Sequence, residues 1–450
     1  MAEIEFEVEC EVAIVGAGLA GLAAAKTLVD NGVDPEGIFV IERGNQSGTK
    51  NVSGARIYTH NLAKVFPNFE EEAPLQRKVV RERLSLLAKD SAFNLDYTDE
   101  VFKESGKESY TILRGTFDAW MQEQVENLGV MIMPTFPAID FVRDEAGKII
   151  GVACASGEFD EEGNDIVTNI GAKVVILADG ANSLLLPKSG LDTKPAPKPE
   201  HMAVGAKEII QLDAKTIEDR FQLNPGEGCA WMFAGDPSDG KFGGIALYTY
   251  EDTISIAMVA GIEAIEECDT PIYQMLENFK NRDDIKPLLK GGEIVEYSGH
   301  MVPEGGANMT PALTGDNVLV TGDAAGFCVN VGYTVRGMDF AIESGYLAGQ
   351  AVAKALEAGD TSKAGLQSYV DGVKASFIQK DMDVCKNFAH AVESTRLFSE
   401  YPAFIGKIFR SLYSIDGTPQ KPIMKKLMPV VKEMGMFKTV KEVLKLVKSL

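Results

Sequence analysis

The chain has 450 residues, 45% of them hydrophobic and 24% charged, which is the balance of a soluble globular protein with more than one core. Its net charge of −22 excludes nonspecific nucleic-acid binding as its purpose, because a polyanion repels an acidic surface. The six cysteines (Cys10, Cys154, Cys229, Cys268, Cys328 and Cys385) are scattered without a CxxC pair, which argues against a disulfide framework, a cysteine-ligated zinc site and an internal iron–sulfur cluster.

In chain order, acidic Met1–Glu9 cannot serve as the positive start of a signal peptide, and reduced thiols point to the cytoplasm. Val12–Val15 reads as a short apolar strand, followed by a glycine turn, a helix over Leu19–Asp30 and a second strand over Ile38–Ile41. This βαβ opening carries Gly16-Ala17-Gly18-Leu19-Ala20-Gly21 between strand and helix. Gly16 permits the tight turn, Gly18 lets a pyrophosphate approach the backbone, and Gly21 lets helix and sheet pack closely. Unpaired N–H groups at the helix start then face the phosphates. Glu42 ends the second strand, where a carboxylate can accept hydrogen bonds from a ribose diol.

Further strands are expected at Lys173–Ala178 and Asn317–Thr321, each ending in an acidic-glycine turn, Asp179-Gly180 and Gly322-Asp323. Gly244–Thr249 and Thr253–Val259 suggest an antiparallel sheet outside the nucleotide domain, entered through a Pro-rich linker at Leu191–Glu200. A helix is expected from Gly337 to Ala358, and the remainder is mostly helical with breaks at Pro402, Pro419, Pro422 and Pro429. Asp323 can bond a ribityl hydroxyl or a flavin phosphate, and Ala324 and Ala325 leave room for a cofactor. The helix at Gly337-Met338 can aim its N-terminus at a flavin pyrimidine edge. The glycine turn alone does not separate NAD from FAD; the ordered set of three motifs specifies FAD.

The expected fold is α/β, with a discontinuous Rossmann-type FAD-binding domain, an inserted antiparallel-sheet substrate domain and a C-terminal helical region. The FAD-binding domain takes residues 1–75, 111–190 and 301–360. The inserted substrate domain takes 76–110 and 191–300, and the helical region 361–450.

Charge is unevenly divided. Residues 401–450 hold ten Lys/Arg and three Asp/Glu, a local +7 against −29 for the first 400 residues. Leu427, Val430, Val431, Met434, Val440, Val443, Leu444 and Val447 interleave with Lys425, Lys426, Lys432, Lys438, Lys441, Lys445 and Lys448. That pattern suits either an interfacial helix on anionic lipid or a helix packed on protein. Trp231-Met232-Phe233 offers a second membrane contact, with core packing the stronger reading.

These motifs in this order resemble the glutathione-reductase-type FAD fold. More narrowly they resemble the group containing p-hydroxybenzoate hydroxylase, geranylgeranyl reductases and electron-transfer-flavoprotein:quinone oxidoreductases. Three further segments resemble the FixC-like branch of the last family: Gly48–Ala55 as its loop along the flavin, Thr111–Trp120 as its Arg-x-x-Phe-Asp helix start, and Gly205–Glu208 with Ile217–Leu223 and Gly243–Thr249 as its substrate-domain sheet. The resemblance implies FAD contacts from Gly16, Gly18, Ala20, Gly21, Glu42, Arg43, Ser53, Gly54, Arg114, Asp179, Gly180, Gly322, Asp323, Gly337 and Met338. Arg43 either stacks on adenine or faces solvent.

The longer members of that family end in a cysteine-ligated iron–sulfur domain, whereas no cysteine follows Cys385 here. The resemblance therefore implies a flavin subunit working with a separate ferredoxin-like iron–sulfur protein. It would take electrons from the two-subunit electron-transfer flavoprotein and pass them to a quinone, peripherally on the inner face of the cell membrane. A lipid reductase saturating isoprenoid double bonds, an NAD(P)H-dependent flavin hydroxylase and an assembly subunit without its own turnover stay open. Cys328 is expected to be structural, and no residue is assigned as proton donor.

Overall fold

A computed structural model describes residues 6–449 apart from 160–162, 164, 192–198, 200–201, 267, 304–305 and 394–395; most of the Pro-rich linker lies outside the described residues. The first strand, Val8–Val15, is buried from Val12 onward and pairs in parallel with Ile38–Ile41 on one side and Asp165–Leu177 on the other. Met131–Met133 and Val318–Val320 extend this parallel sheet at its two sides, and Thr314–Gly315 closes one edge. The near-continuous Val, Ile and Leu runs of the central strands match a sheet covered on both faces. A hairpin of Ala138–Arg143 and Ile149–Phe159 leans on the long strand Asp165–Leu177.

The helix Leu19–Asp30 follows the glycine turn, and a later helix, Met338–Ala358, lies against it. Their approach depends on small residues. A Cβ on Gly345 would sit 2.2 Å from the Ala20 carbonyl oxygen, and one on Gly349 2.7 Å from that of Ala24. No side chain larger than hydrogen fits there unless one helix backs away.

The second sheet has nine strands among the described residues, running in the order Glu293–Pro303, Met202–Gln211, Thr253–Gly261, Gly243–Thr249, Glu227–Gly235, Lys78–Ala88, Ser109–Ile112 and Ala55–Tyr58, with Ser91–Thr98 beside Lys78–Ala88. It is mostly antiparallel, as expected for the inserted domain, but begins before residue 76. Ala55–Tyr58, expected in the first FAD segment, pairs instead with Ser109–Ile112, so the chain enters this sheet directly after the loop Gly48–Gly54. A second correction concerns Ile217–Leu223. Ala214–Phe221 is a helix, capped by Asp213 accepting from the Thr216 N–H, with Ile217 and Phe221 four apart on its buried face. Trp231 is core: its ring stacks on Phe233 and its N–H donates to Ser85.

Helices Gln367–Ala375, Phe377–Cys385, Phe388–Glu393, Tyr401–Tyr413, Ile423–Met434 and Met436–Ser449 complete the chain. Pro402 starts a helix and Pro419 and Pro422 lie between two, but Pro429 stands inside Ile423–Met434. A proline there removes the bond to the Lys425 carbonyl; that turn is exposed, so water can replace the lost donor. Among the described residues no helix is long and apolar enough to cross a membrane.

Gly345→Ala should lower the unfolding free energy by about 1–3 kcal/mol or more, because backbone rather than a movable side chain opposes the new methyl. Urea unfolding of the two proteins measures it; equal stabilities would show that the helices can separate without cost.

Candidate functional site

A cavity of about 750 Å³ opens between the two sheets, within the range of cofactor sites. Its floor is the glycine turn. Gly16 adopts φ +104°, and a Cβ on it would meet the Ala178 oxygen at 2.4 Å; one on Gly21 would meet the Gly16 oxygen at 2.0 Å. These two glycines close the turn on the sheet. Gly18 is different: a Cβ there would meet nothing within 4 Å, and the residue lines the cavity at the uncapped start of the first helix. The unpartnered helix N–H groups and the open space above them fit a pyrophosphate.

Glu42 anchors this floor as well as facing the cavity. Its carboxylate accepts from the Ala17 N–H at 2.9 Å and the Gly44 N–H at 2.6 Å, which fixes both the turn and the loop after the second strand. Arg43 is exposed and lines the rim. The loop Gly48–Gly54 is held by the helix Arg114–Glu126: the fully buried Asp118 carboxylate receives a two-pronged contact from Arg114, at 2.8 and 2.7 Å, and a third bond from the Asn51 amide at 3.0 Å. Gly48 approaches so closely that a Cβ would lie 2.5 Å from the Arg114 carbonyl oxygen. Arg114 is thus a positioning residue as well as a cavity cation, not a surface arginine.

Asp179 and Asp323 stand at the ends of adjacent parallel strands. Asp179 receives the Ser183 hydroxyl on one oxygen, while its other oxygen, Oδ1, is buried without a hydrogen-bond partner. Burial pushes its carboxyl above the usual Asp range, with the Ser183 bond opposing. Asp323 shows surface to the cavity but is surrounded by protein; burial raises its carboxyl, and Arg114 and His300 pull it back. An orphaned carboxylate oxygen and a half-compensated one both fit the hydroxyl donors of a ribityl or ribose chain. Gly337 and Met338 bring the start of the later helix to the same space.

Of the fifteen residues expected to contact the cofactor, twelve line this cavity: Gly16, Gly18, Ala20, Glu42, Arg43, Gly54, Arg114, Asp179, Gly180, Asp323, Gly337 and Met338. Gly21, Ser53 and Gly322 do not. Gly21 and Gly322 act behind the wall, each at a contact with the turn or with Ala20 that leaves no room for a side chain. Ser53 is half-buried beside the loop backbone that lines the cavity. Cys328 also lines it, and none of the six cysteines is in a disulfide.

Sequence reasoning missed the opposite wall. Lys207 and His300 face the cavity from neighbouring strands of the second sheet, and Tyr58, Arg56 and Arg336 from its other side. Arg336 is bound to the buried Asp339 and lies over the rings of Phe340 and Phe377. Adjacent charges in an otherwise mostly apolar strand, Lys207 and Glu208 in Met202–Gln211, were the available signal, since alternation puts one of them on each face. The far end of the cavity is apolar: Phe242, Val331, Phe388, Val392, Phe398 and Leu446 line it, the last from the C-terminal helix.

Gly18→Val separates folding from binding. The apoprotein should keep its unfolding free energy within about 1 kcal/mol, the scale of an exposed N-cap change. FAD affinity should fall at least about tenfold as the side chain occupies phosphate space. Equilibrium dialysis with FAD and apoprotein unfolding test both halves; unchanged affinity would remove Gly18 from the phosphate site.

Residues 388–450 match the ETF-QO/FixC family C-terminal domain. Across 432 residues, 96% of this chain and 97% of the relative, the chain is 42% identical to the probable electron transfer flavoprotein-quinone oxidoreductase YdiS of Escherichia coli K12. Over the same shares of the two chains it is 41% identical to protein FixC of Salmonella typhi. Among solved structures it resembles a geranylgeranyl bacteriochlorophyll reductase-like protein from Thermoplasma acidophilum, with a TM-score of 0.71 and 18% identity over 98% of this chain and all of that one. The myxobacterial halogenase CndH gives a TM-score of 0.65 at 14% identity, over 96% of this chain and 91% of that one; at such identities these two likenesses concern the fold. The chain therefore belongs to the FixC-like branch of the electron-transfer-flavoprotein:quinone oxidoreductase family and is an FAD-dependent oxidoreductase.

Proposed function

We propose that this protein receives electrons from reduced electron-transfer flavoprotein and passes them to a membrane quinone. The observation that carries this reading is the shape of the cavity. It begins at the pyrophosphate turn and ends in an apolar mouth formed by Phe242, Phe388, Val392, Phe398 and Leu446, beside the basic C-terminal helices. A quinone ring and its isoprenoid tail are apolar ligands of the kind that such a mouth accepts. Bound FAD supplies chemistry in steps of one or two electrons, which suits a donor and an acceptor that differ in this respect.

The chain's own residues hold and shape the site. Gly18 would seat the pyrophosphate on a turn closed by Gly16 and Gly21, and Glu42, Asp179 and Asp323 would hold the hydroxyl-bearing parts of the cofactor. Arg114, bound to Asp118, keeps a positive charge beside the cavity. The start of the helix Met338–Ala358 adds the positive end of a helix dipole, which favours negative charge on a reduced cofactor. The iron–sulfur centre is assigned to a separate ferredoxin-like protein, because the six cysteines are dispersed along the fold rather than clustered.

The C-terminal helix Met436–Ser449 is built to touch two things at once. Glu442 faces inward, bound by Arg396 and by the Tyr401 hydroxyl, and Leu446 on the same side reaches the cavity mouth. Val440, Val443, Leu444 and Val447 form an outward stripe at helical spacing, and Phe437 beside it is 89% exposed. Lys438, Lys441, Lys445 and Lys448 border the stripe. We assign this face to the anionic inner surface of the cell membrane, which would put the mouth next to its lipid substrate.

Two measurements test these assignments. Anaerobic mixing with reduced electron-transfer flavoprotein should bleach the FAD bands, and a water-soluble quinone should restore them. Bleaching by NAD(P)H alone, with the flavoprotein inert, would replace the relay by a hydroxylase or lipid reductase. Reversal of the four lysines to glutamate should weaken binding to phosphatidylserine-containing vesicles by at least about tenfold. Equal binding of the two proteins would assign the stripe to a protein partner.

A further inference from the structure

The wall opposite the glycine turn carries a side chain that neither fold nor cofactor seating explains. Lys207 lies in the strand Met202–Gln211, which is central enough to be paired on both sides. It is only 9% exposed, lines the cavity, and has no hydrogen-bond or ion-pair partner among the described residues. Its sheet neighbours explain the isolation. Lys207 stands opposite Ala257 on one side and Ser298 on the other, and Gly205, Val259, His300 and Val302 share the same cavity-facing surface. The strand's lysine–carboxylate contact among the described residues, Lys280 with Glu208 at 2.7 Å, is on its opposite face. The sequence thus pairs one buried cation and leaves its neighbour bare toward the cofactor.

An isolated ammonium in such a place is costly, so it stays only where something returns the cost. Burial pushes Lys207 down to about 7; Glu296, on the adjacent strand, acts to raise it, and Arg114 across the cavity acts to lower it further. His300, on the same face, is itself lowered by burial, although Asp323 opposes this. The groups facing Lys207 from the packed elements are therefore Arg114, Glu296 and His300, with Asp323 acting on Arg114 and His300. None of them bonds to it. Negative charge arriving in the cavity would raise the affinity of this amine for a proton, as any close opposite charge does.

We propose that Lys207 is the proton-exchanging group of the flavin cavity, taking up a proton when the cofactor is reduced and releasing it when the electrons leave. The balance is as follows. Oxidised FAD beside a neutral Lys207 amine takes two electrons and two protons. One proton goes to the flavin, leaving it with a single negative charge, and the other converts the amine to the ammonium that faces this charge. Reoxidation returns both electrons and both protons. The electrons come from any low-potential donor, and the proton comes from water through the open cavity. This inference rests on the FAD site and is independent of which partner delivers or removes the electrons.

The test is a spectroelectrochemical titration of the FAD-loaded protein and of Lys207→Met, with dithionite as reductant, between about pH 6 and pH 9. Above neutrality the wild-type midpoint potential should fall with pH twice as steeply as that of Lys207→Met, which loses one of its two protons per electron pair. The apoprotein supplies a second readout. An amine held below its unfolded value costs stability once the unfolded chain is protonated, so Lys207→Met should raise the melting temperature at pH 7 and much less near pH 10.5. Equal slopes in the two proteins overturn the proposal. Loss of FAD from Lys207→Met with retention in Lys207→Arg also overturns it, by making the side chain a fixed anchor.

Discussion

Everything at the flavin end depends on how closely two backbones can approach. The helix after the glycine turn touches the helix Met338–Ala358 through Ala20 and Ala24 on one side and Gly345 and Gly349 on the other, with carbonyl oxygens where side chains would stand. The same helix start touches the sheet through Gly21 and Gly16. Because these contacts are made by main chain, they fix the positions of both helix N-termini, and a helix N-terminus is where the protein's fixed positive potential lies. Two such ends converge on one cavity. The anion site is therefore a property of packing, created by the absence of side chains.

Charge in the cavity is arranged by burial more than by pairing. Arg114 is held by Asp118 in a two-pronged contact, which preserves its charge and also pins the loop through Asn51. Asp179, Asp323, His300 and Lys207 have no such compensation, and each is pushed toward its neutral form by the surrounding protein. A site of this kind responds to one added negative charge, because Lys207 is held down to about 7 and gains affinity for a proton when an anion comes near. That is a suitable medium for a cofactor whose charge changes with every turnover.

The second sheet and the C-terminal helices serve the other end. Arg77, fully buried, ties this sheet together by donating to the backbone carbonyls of Tyr250, Glu227 and Glu251. Arg396 does the same work for the tail, reaching Glu400, Glu442 and the Met434 carbonyl. The tail helix is thereby oriented, with Leu446 inward at the cavity and the Val440–Val447 stripe outward. An apolar mouth and an apolar, lysine-bordered face are brought side by side by a few charge-assisted bonds.

The nucleotide half was legible in the sequence because its determinants are local. The helix Leu19–Asp30 and the strand Ile38–Ile41 fall at the expected residues, and a glycine turn between strand and helix has one geometry available to it. Ile217–Leu223 misled because it was assigned by likeness to a sheet segment, whereas its Ile217 and Phe221 stand four apart among Glu218, Asp219 and Arg220, which is helical spacing, and Asp213 caps the helix. Pro429 misled because an exposed helix can lose one bond to water. The basic tail was legible as amphipathic, but Leu427, Val430, Val431 and Met434 turn out half-buried while Val440, Val443, Leu444 and Val447 face out. By itself the sequence determined the cofactor fold, its glycine turn and the polarity of the tail, since each is written in residues within one or two turns of one another. Only the tertiary structure decided that Lys207 and His300 face Asp323 and Arg114 across one cavity, because that meeting depends on strand register and on the distance between two sheets, which no local pattern encodes.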